Sequence, residues 1–158
     1  MRNAMLGLAA LALAGCQSAP EALPPAAPEP ALGPVALPSS SAVIDQSVTI
    51  TPPSKGVPTQ YAAFSGIWAG RLEGMYEGKL AVQTVSPKGK VAVTYAWGDL
   101  ADNRPGVADG TGKIVGNTLK LERLPNGADA TFMMLPDGTL SGTYTLAGQT
   151  YTGAFIRQ

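Results

Sequence analysis

Gly66-Ile67-Trp68-Ala69-Gly70-Arg71-Leu72 decides the fold. Together with Phe64, residues Gly66, Trp68, Gly70 and Leu72 fall on one side of a two-residue period, and Ser65, Arg71 and Glu73 fall on the other. In a strand, successive side chains point to opposite faces, so this pattern predicts a strand with one buried face.

The pattern recurs downstream. Leu80, Val82 and Thr84 alternate with Lys79 and Gln83. Val91, Val93, Tyr95 and Trp97 face one way; Lys90, Ala92, Thr94 and Ala96 face the other. Leu119 and Leu121 alternate with Lys120 and Glu122, and Ala130, Phe132 and Met134 continue. Leu140, Gly142, Tyr144 and Leu146 alternate with Ser141, Thr143 and Thr145, and Tyr151, Gly153 and Phe155 finish. Gly112-Lys113-Ile114-Val115 reads as a shorter, weaker strand, preceded by the longest loop of the domain, Leu100–Gly110. No stretch has a helical period.

Turn chemistry separates these runs. Ser86-Pro87-Lys88-Gly89 and Pro136-Asp137-Gly138 place Pro and Gly where tight turns need a fixed and a positive φ. Gly116-Asn117 and Asn126-Gly127 are hairpin signals, and Gly148-Gln149 closes the last pair. Eight short strands with such links must be neighbours in chain order. The expected fold is all-β: a small eight-stranded antiparallel up-and-down barrel, or a rolled meander sheet.

Gly66-Ile67-Trp68 resembles the Gly-x-Trp that opens lipocalins and avidin-like barrels, which implies that Trp68 plugs one end and that Gly66 and Trp68 are structural. Asp137-Gly-Thr-Leu-Ser-Gly-Thr-Tyr144 is similar to avidin-type strand-turn sequence; biotin binding is not carried over. Gly66–Arg157 also resembles small uncharacterised domains of exported bacterial proteins, through Trp68-Ala69-Gly70, Leu80-Ala81-Val82 and Tyr95-Ala96-Trp97-Gly98-Asp99.

The chain before the domain has a different composition. Met1-Arg2-Asn3 gives a positive start and Ala4–Ala14 an apolar run too short to span a bilayer, the layout of a secretory signal over residues 1–15. Leu13-Ala14-Gly15-Cys16 resembles the lipobox of bacterial lipoproteins. The resemblance implies lipidation of Cys16 by diacylglyceryl and fatty acyl (palmitate-type) chains. It also implies export and anchorage to the cell envelope. Gln17 and Ser18 follow instead of Asp, which points to the outer membrane, facing the periplasm. Several buried acyl chains at about 0.8 kcal/mol per CH₂ make such an anchor effectively permanent.

Residues 16–60 form a Pro/Ala/Ser-rich segment; ten of the fourteen prolines lie in 17–60. Proline removes donors and fixes φ, so this tract reads as a disordered, semi-extended linker with a reach of roughly 130 Å. Ser41–Ile50 is expected to add an edge strand or a short helix. The folding domain is read as 61–158.

Composition excludes several functions. The net charge is zero, and the domain's nine basic and eight acidic residues are interspersed along the chain. That argues against nucleic acid and against electrostatic docking on anionic lipid. There is no histidine, and the lipobox resemblance commits the single cysteine to lipid. Histidine-dependent nucleophilic catalysis and ordinary zinc sites are thereby removed. No cofactor is implied.

The richest stretch for a ligand is Tyr95-Ala96-Trp97-Gly98-Asp99 and the following loop. Aromatics beside Asp99, Asp102, Asn103 and Arg104 are the materials of a glycan or small apolar ligand site. The plainer alternative is that Tyr95 and Trp97 fill the barrel. Asp99 with Asp102 is the nearest carboxylate pair for acid–base work, and Asp99, Asp102, Asn103 and Asp109 are candidate calcium ligands without EF-hand spacing. The expected function is a non-catalytic, membrane-anchored binding module. The alternative is a protein-interaction module, such as an envelope protease inhibitor or assembly accessory, with residues 41–60 across an open end.

Overall fold

The computed structural model describes residues 41–44, 47–100 and 103–158. The signal segment, Cys16 and Asp102 lie outside the described residues. Eight strands follow one another: β1 (Gly66–Leu72), β2 (Tyr76–Val85), β3 (Lys90–Trp97), β4 (Gly106–Val115), β5 (Thr118–Leu121), β6 (Asp129–Met134), β7 (Leu140–Leu146) and β8 (Gln149–Arg157). Each pairs antiparallel with the next, and β8 returns to β1 to close the barrel. The expected up-and-down barrel is therefore the fold, and the rolled open sheet is not.

The two-residue period works as sequence predicted on β1, where Trp68 and Leu72 are buried, and on β3, where Val91, Val93, Tyr95 and Trp97 are buried. On β2 a bulge between Val82 and Thr84 inserts one residue. It moves the inward phase to Val85, so Thr84, expected inside, is exposed.

Two connections use left-handed residue pairs, Glu73-Gly74 and Ala147-Gly148, with φ of 49° and 70°, and 50° and 81°. Their twist suits tight hairpins. The last turn therefore sits one residue earlier than expected. Asn126-Gly127 closes a tight turn, as its sequence signalled: the Leu124 N–H donates to the Ala128 carbonyl and the Gly127 N–H to the Leu124 carbonyl, both at 2.8 Å, with Gly127 at φ 84°.

β4 departs furthest from the sequence reading. It starts at Gly106, so the second half of the expected long loop, Gly106–Gly110, is strand. Its inward positions before Ile114 are Gly106, Ala108, Gly110 and Gly112, opposite Trp97, Tyr95, Val93 and Val91. A Cβ on Gly106 would lie 2.5 Å from the Trp97 ring. Small residues face large ones here, and the missing apolar alternation hid the strand.

Aromatic rings fill the middle of the barrel. Tyr95 lies 5.9 Å from both Phe132 and Tyr144, and Phe132 meets Phe155 edge-on at 5.2 Å, centroid to centroid. Phe155 lies against three inward glycines: a Cβ on Gly70, Gly78 or Gly142 would come within 2.7, 3.0 or 2.5 Å of its ring.

The end where β1 begins is closed by Phe64 and Trp68, both with zero exposure. A single helical turn, α1 (Thr59–Ala62), leads into it. The Trp68 indole N–H donates to the Phe64 carbonyl at 2.9 Å, and the Arg157 guanidinium stacks over the Trp68 ring. Arg157 also donates to the Ser65 and Ala63 carbonyls. At the opposite end, where β3 finishes, Trp97, Leu100, Leu124 and Ala128 are buried.

Residues 41–44 and 47–51 hold neither the strand nor the helix expected of Ser41–Ile50. They meet the outside of the barrel. The Ser41 N–H donates to Glu77 Oε2 at 2.6 Å, Ala42 has zero exposure, and the Thr51 N–H donates to the Gln83 carbonyl at 2.8 Å. Gln83 sits at the bulge, where the ladder is interrupted. Ala81, Thr94 and Ala96 face outward by register yet are buried.

Candidate functional site

Tyr95 and Trp97 point into the packed interior, as the barrel-filling alternative has it, and not into a loop-rim ligand site. Tyr95 is 1% and Trp97 9% exposed. Their rings stack 6.4 Å apart at 24°. Burial, and secondarily the nearby Tyr144, pushes the Tyr95 phenol well above its ordinary value. Tyr144 is raised by burial as well, partly offset by the amide of Asn126 donating to its oxygen at 2.6 Å. The Trp97 indole N–H donates to the Arg104 carbonyl at 2.9 Å.

The β3–β4 loop then folds on itself. Leu100 and Asn103 exchange backbone hydrogen bonds of 3.1 and 2.8 Å, and Leu100 turns inward. Asp99 and Arg104 are exposed; Asn103 is half-buried, and its Nδ2 has no hydrogen-bond partner. Gly98 donates its N–H to the Glu77 carbonyl. Of the expected set, Tyr95 and Trp97 thus lie inside, while Asp99, Asn103 and Arg104 lie on the rim. Asp109 does not join them: Thr94 Oγ1 donates to its carboxylate on the outer wall. Among the described residues no three His, Cys, Asp or Glu side chains gather to hold a metal ion.

Two features of the surface escaped sequence reading. At the rim, Tyr76 and Tyr151, both half-buried, pack edge-on at 5.5 Å and 80°. On the outer wall, register sets Lys90 opposite Lys113 and Lys113 opposite Lys120, one row across β3, β4 and β5. All three are exposed. They line a groove of about 570 Å³ with Val91, Leu121, Glu122 and the Arg123–Asp129 pair among its other walls. Arg123 Nη2 lies 2.6 Å from Asp129 Oδ2, and this hydrogen bond holds the Asp129 carboxyl below its ordinary range. The two-residue turn at Gly116-Asn117 was the signal available in sequence: it sets Val115 opposite Thr118, and hence Lys113 opposite Lys120.

Among the described residues no helix is long and apolar enough to cross a membrane. No protein-family model matches the chain, and no curated protein matches it. Among solved structures, a redesigned β-barrel aligns with 63% of this chain and 94% of its own, at 16% identity and a TM-score of 0.47.

Proposed function

We propose that this chain is a lipid-anchored cell-envelope protein whose barrel is a solid, non-catalytic interaction module that works through its outer surface and rim. One observation carries the reading of the barrel: its interior is occupied by its own rings. Trp68, Tyr95, Tyr144, Phe132 and Phe155 are all under 2% exposed and lie in mutual contact or across the ends. Eight-stranded barrels have room either for side chains or for one small ligand, and here side chains take it. The absence of histidine from the sequence supports a non-catalytic role. The anchor rests on the lipobox resemblance around Cys16, and envelope export on the segment before it.

The experiment has two arms. Fatty-acid labelling of cells expressing the full chain is expected to label it, and Cys16→Ser to abolish the label and release the protein from membranes. An unlabelled wild type overturns the anchor. In the second arm, tryptophan fluorescence of the full chain is titrated with envelope glycans and amphiphiles. No saturable change is expected, since both indoles are sealed. A saturable change that is lost in Trp97→Phe overturns the solid barrel and restores a small-ligand site at Tyr95–Arg104.

A further inference from the structure

The row Lys90–Lys113–Lys120 is costly where it stands. Side chains directly opposite on neighbouring strands have Cβ atoms roughly 4.5–5.5 Å apart, and like charges there repel. None of the three has an ion pair among the described residues; the two ion pairs present are Arg71–Glu77 and Arg123–Asp129. The groove they border carries Lys90, Lys113, Lys120 and Arg123 against Glu122 and Asp129. Asp129 is committed to Arg123, and the Lys120 charge reaches it secondarily. Lys88, in the turn that feeds β3, adds a further exposed cation beside the row.

The neighbouring outward row carries two exposed aliphatic side chains. Val115 lies opposite Thr118, and Thr118 opposite Met133. Val115 is 66% and Met133 40% exposed. Cations beside exposed aliphatic side chains match a surface that offers phosphate groups above hydrocarbon. A folded acidic protein needs the charges but gains less from two isolated aliphatic tips on a strand wall.

We infer that the β3–β5 wall, through Lys90, Lys113 and Lys120 with Val115 and Met133 beside them, docks on the phosphate layer of an anionic lipid bilayer. The interspersion of charge along the chain argued against such docking; strand register gathers what the sequence spreads out. The inference goes beyond the acyl anchor and does not need it. Each lysine near an anionic surface multiplies membrane partition by roughly five-fold, so three give about 10²-fold. That is a weak contact for a free protein and an orienting one for a tethered protein.

The test uses the full chain carrying Cys16→Ser, so that no acyl chain contributes. Lysine reactivity is mapped by amine footprinting with zwitterionic vesicles, with vesicles containing anionic phospholipid, and with inorganic phosphate at matched ionic strength. Protection of Lys90, Lys113 and Lys120 with anionic vesicles alone is expected, with Lys79 on the β2 wall unprotected. The protection should vanish at high salt, where surface charges are screened. No protection, protection of Lys79 to the same extent, or equal protection by inorganic phosphate overturns the bilayer as the partner. Lys90→Gln/Lys113→Gln/Lys120→Gln is expected to lose the anionic component of vesicle co-sedimentation while melting no lower than the parent. If the triple variant melts early, Lys113→Gln alone is measured, with a fall of about five-fold expected and an unchanged value overturning the row's role. Failure of acylation in cells would leave this outcome untouched, so the two ideas fail separately.

Discussion

Arg157 sits directly opposite Trp68 in the β8–β1 register, with its guanidinium carbon 4.2 Å from the centre of the indole ring. The pair joins the last strand to the first. Arg157 adds hydrogen bonds to the Ser65 and Ala63 carbonyls, so it caps the Trp68 end as well as stacking on it.

Replacing Arg157 by Met keeps length and apolar contact but removes the charge and the donors. A loss of about 1–3 kcal/mol is expected by urea denaturation, from charge-assisted hydrogen bonds and the cation–π contact. Arg157→Lys should recover only part, because an ammonium lacks the planar fork that reaches two carbonyls. A fully stable Met variant would show that the cap contributes nothing.

Trp68→Ala is expected to cost about 3–5 kcal/mol, the range for a buried large aromatic. Trp68→Phe should cost less, since it keeps most of the plug and loses the bond to the Phe64 carbonyl. A melting temperature unchanged in the Ala variant would contradict the burial of this ring.

Gly142 makes space for Phe155. Gly142→Ala should destabilise by about 1–3 kcal/mol through overpacking. Phe155→Leu in the same chain should give back part of that loss, so the double-mutant cycle is expected to be non-additive. Strict additivity would mean that ring and glycine are not in contact.

Alkali should unfold the barrel through its interior phenols. Tyr95 and Tyr144 keep their protons to higher pH in the folded chain than in the unfolded one. Their contribution to stability is fully present below about pH 10, the free phenol value, and is lost as pH rises beyond it. Phenolate absorbance should therefore show these two groups ionising only with unfolding. Tyr95→Phe should move the alkaline unfolding midpoint upward.

Glu77 ties residues before the barrel to its wall, accepting from Ser41 and from Arg71. Glu77→Ala should speed limited proteolysis around residues 41–44 with little change in the barrel's melting temperature. Equal cleavage rates would show that the Ser41 contact does not hold that segment.

Strands whose large residues alternate, such as β1 and β3, could be read directly, because their own side chains make the core. The first part of β4 could not: from Gly106 to Gly112 its inward face is glycine and alanine, and its fit is stated by Trp97 and Tyr95 on another strand. The bulge in β2 was hidden for a related reason, since Thr84 and Val85 are both good strand residues and only pairing chooses between them. At the rim, the aromatics nearest in sequence to Asp99 and Arg104 proved to be interior, because periodicity tells which face a residue takes but not whether that face is full. The lysine row needed the register of three strands at once.

The Arg157 cap also bears on the order of assembly. Seven of the eight strand pairings join consecutive strands, whereas β8–β1 brings together groups such as Arg157 and Ser65 that are 92 residues apart. Closing so long a loop costs chain entropy that local hairpins avoid, and non-local pairing slows folding. The seam is then expected to be the last part to zip, after the transition state. Stopped-flow measurements on Arg157→Met should find the folding rate nearly unchanged and the unfolding rate raised. Arg157 in that case governs how long the barrel stays shut, not how fast it forms.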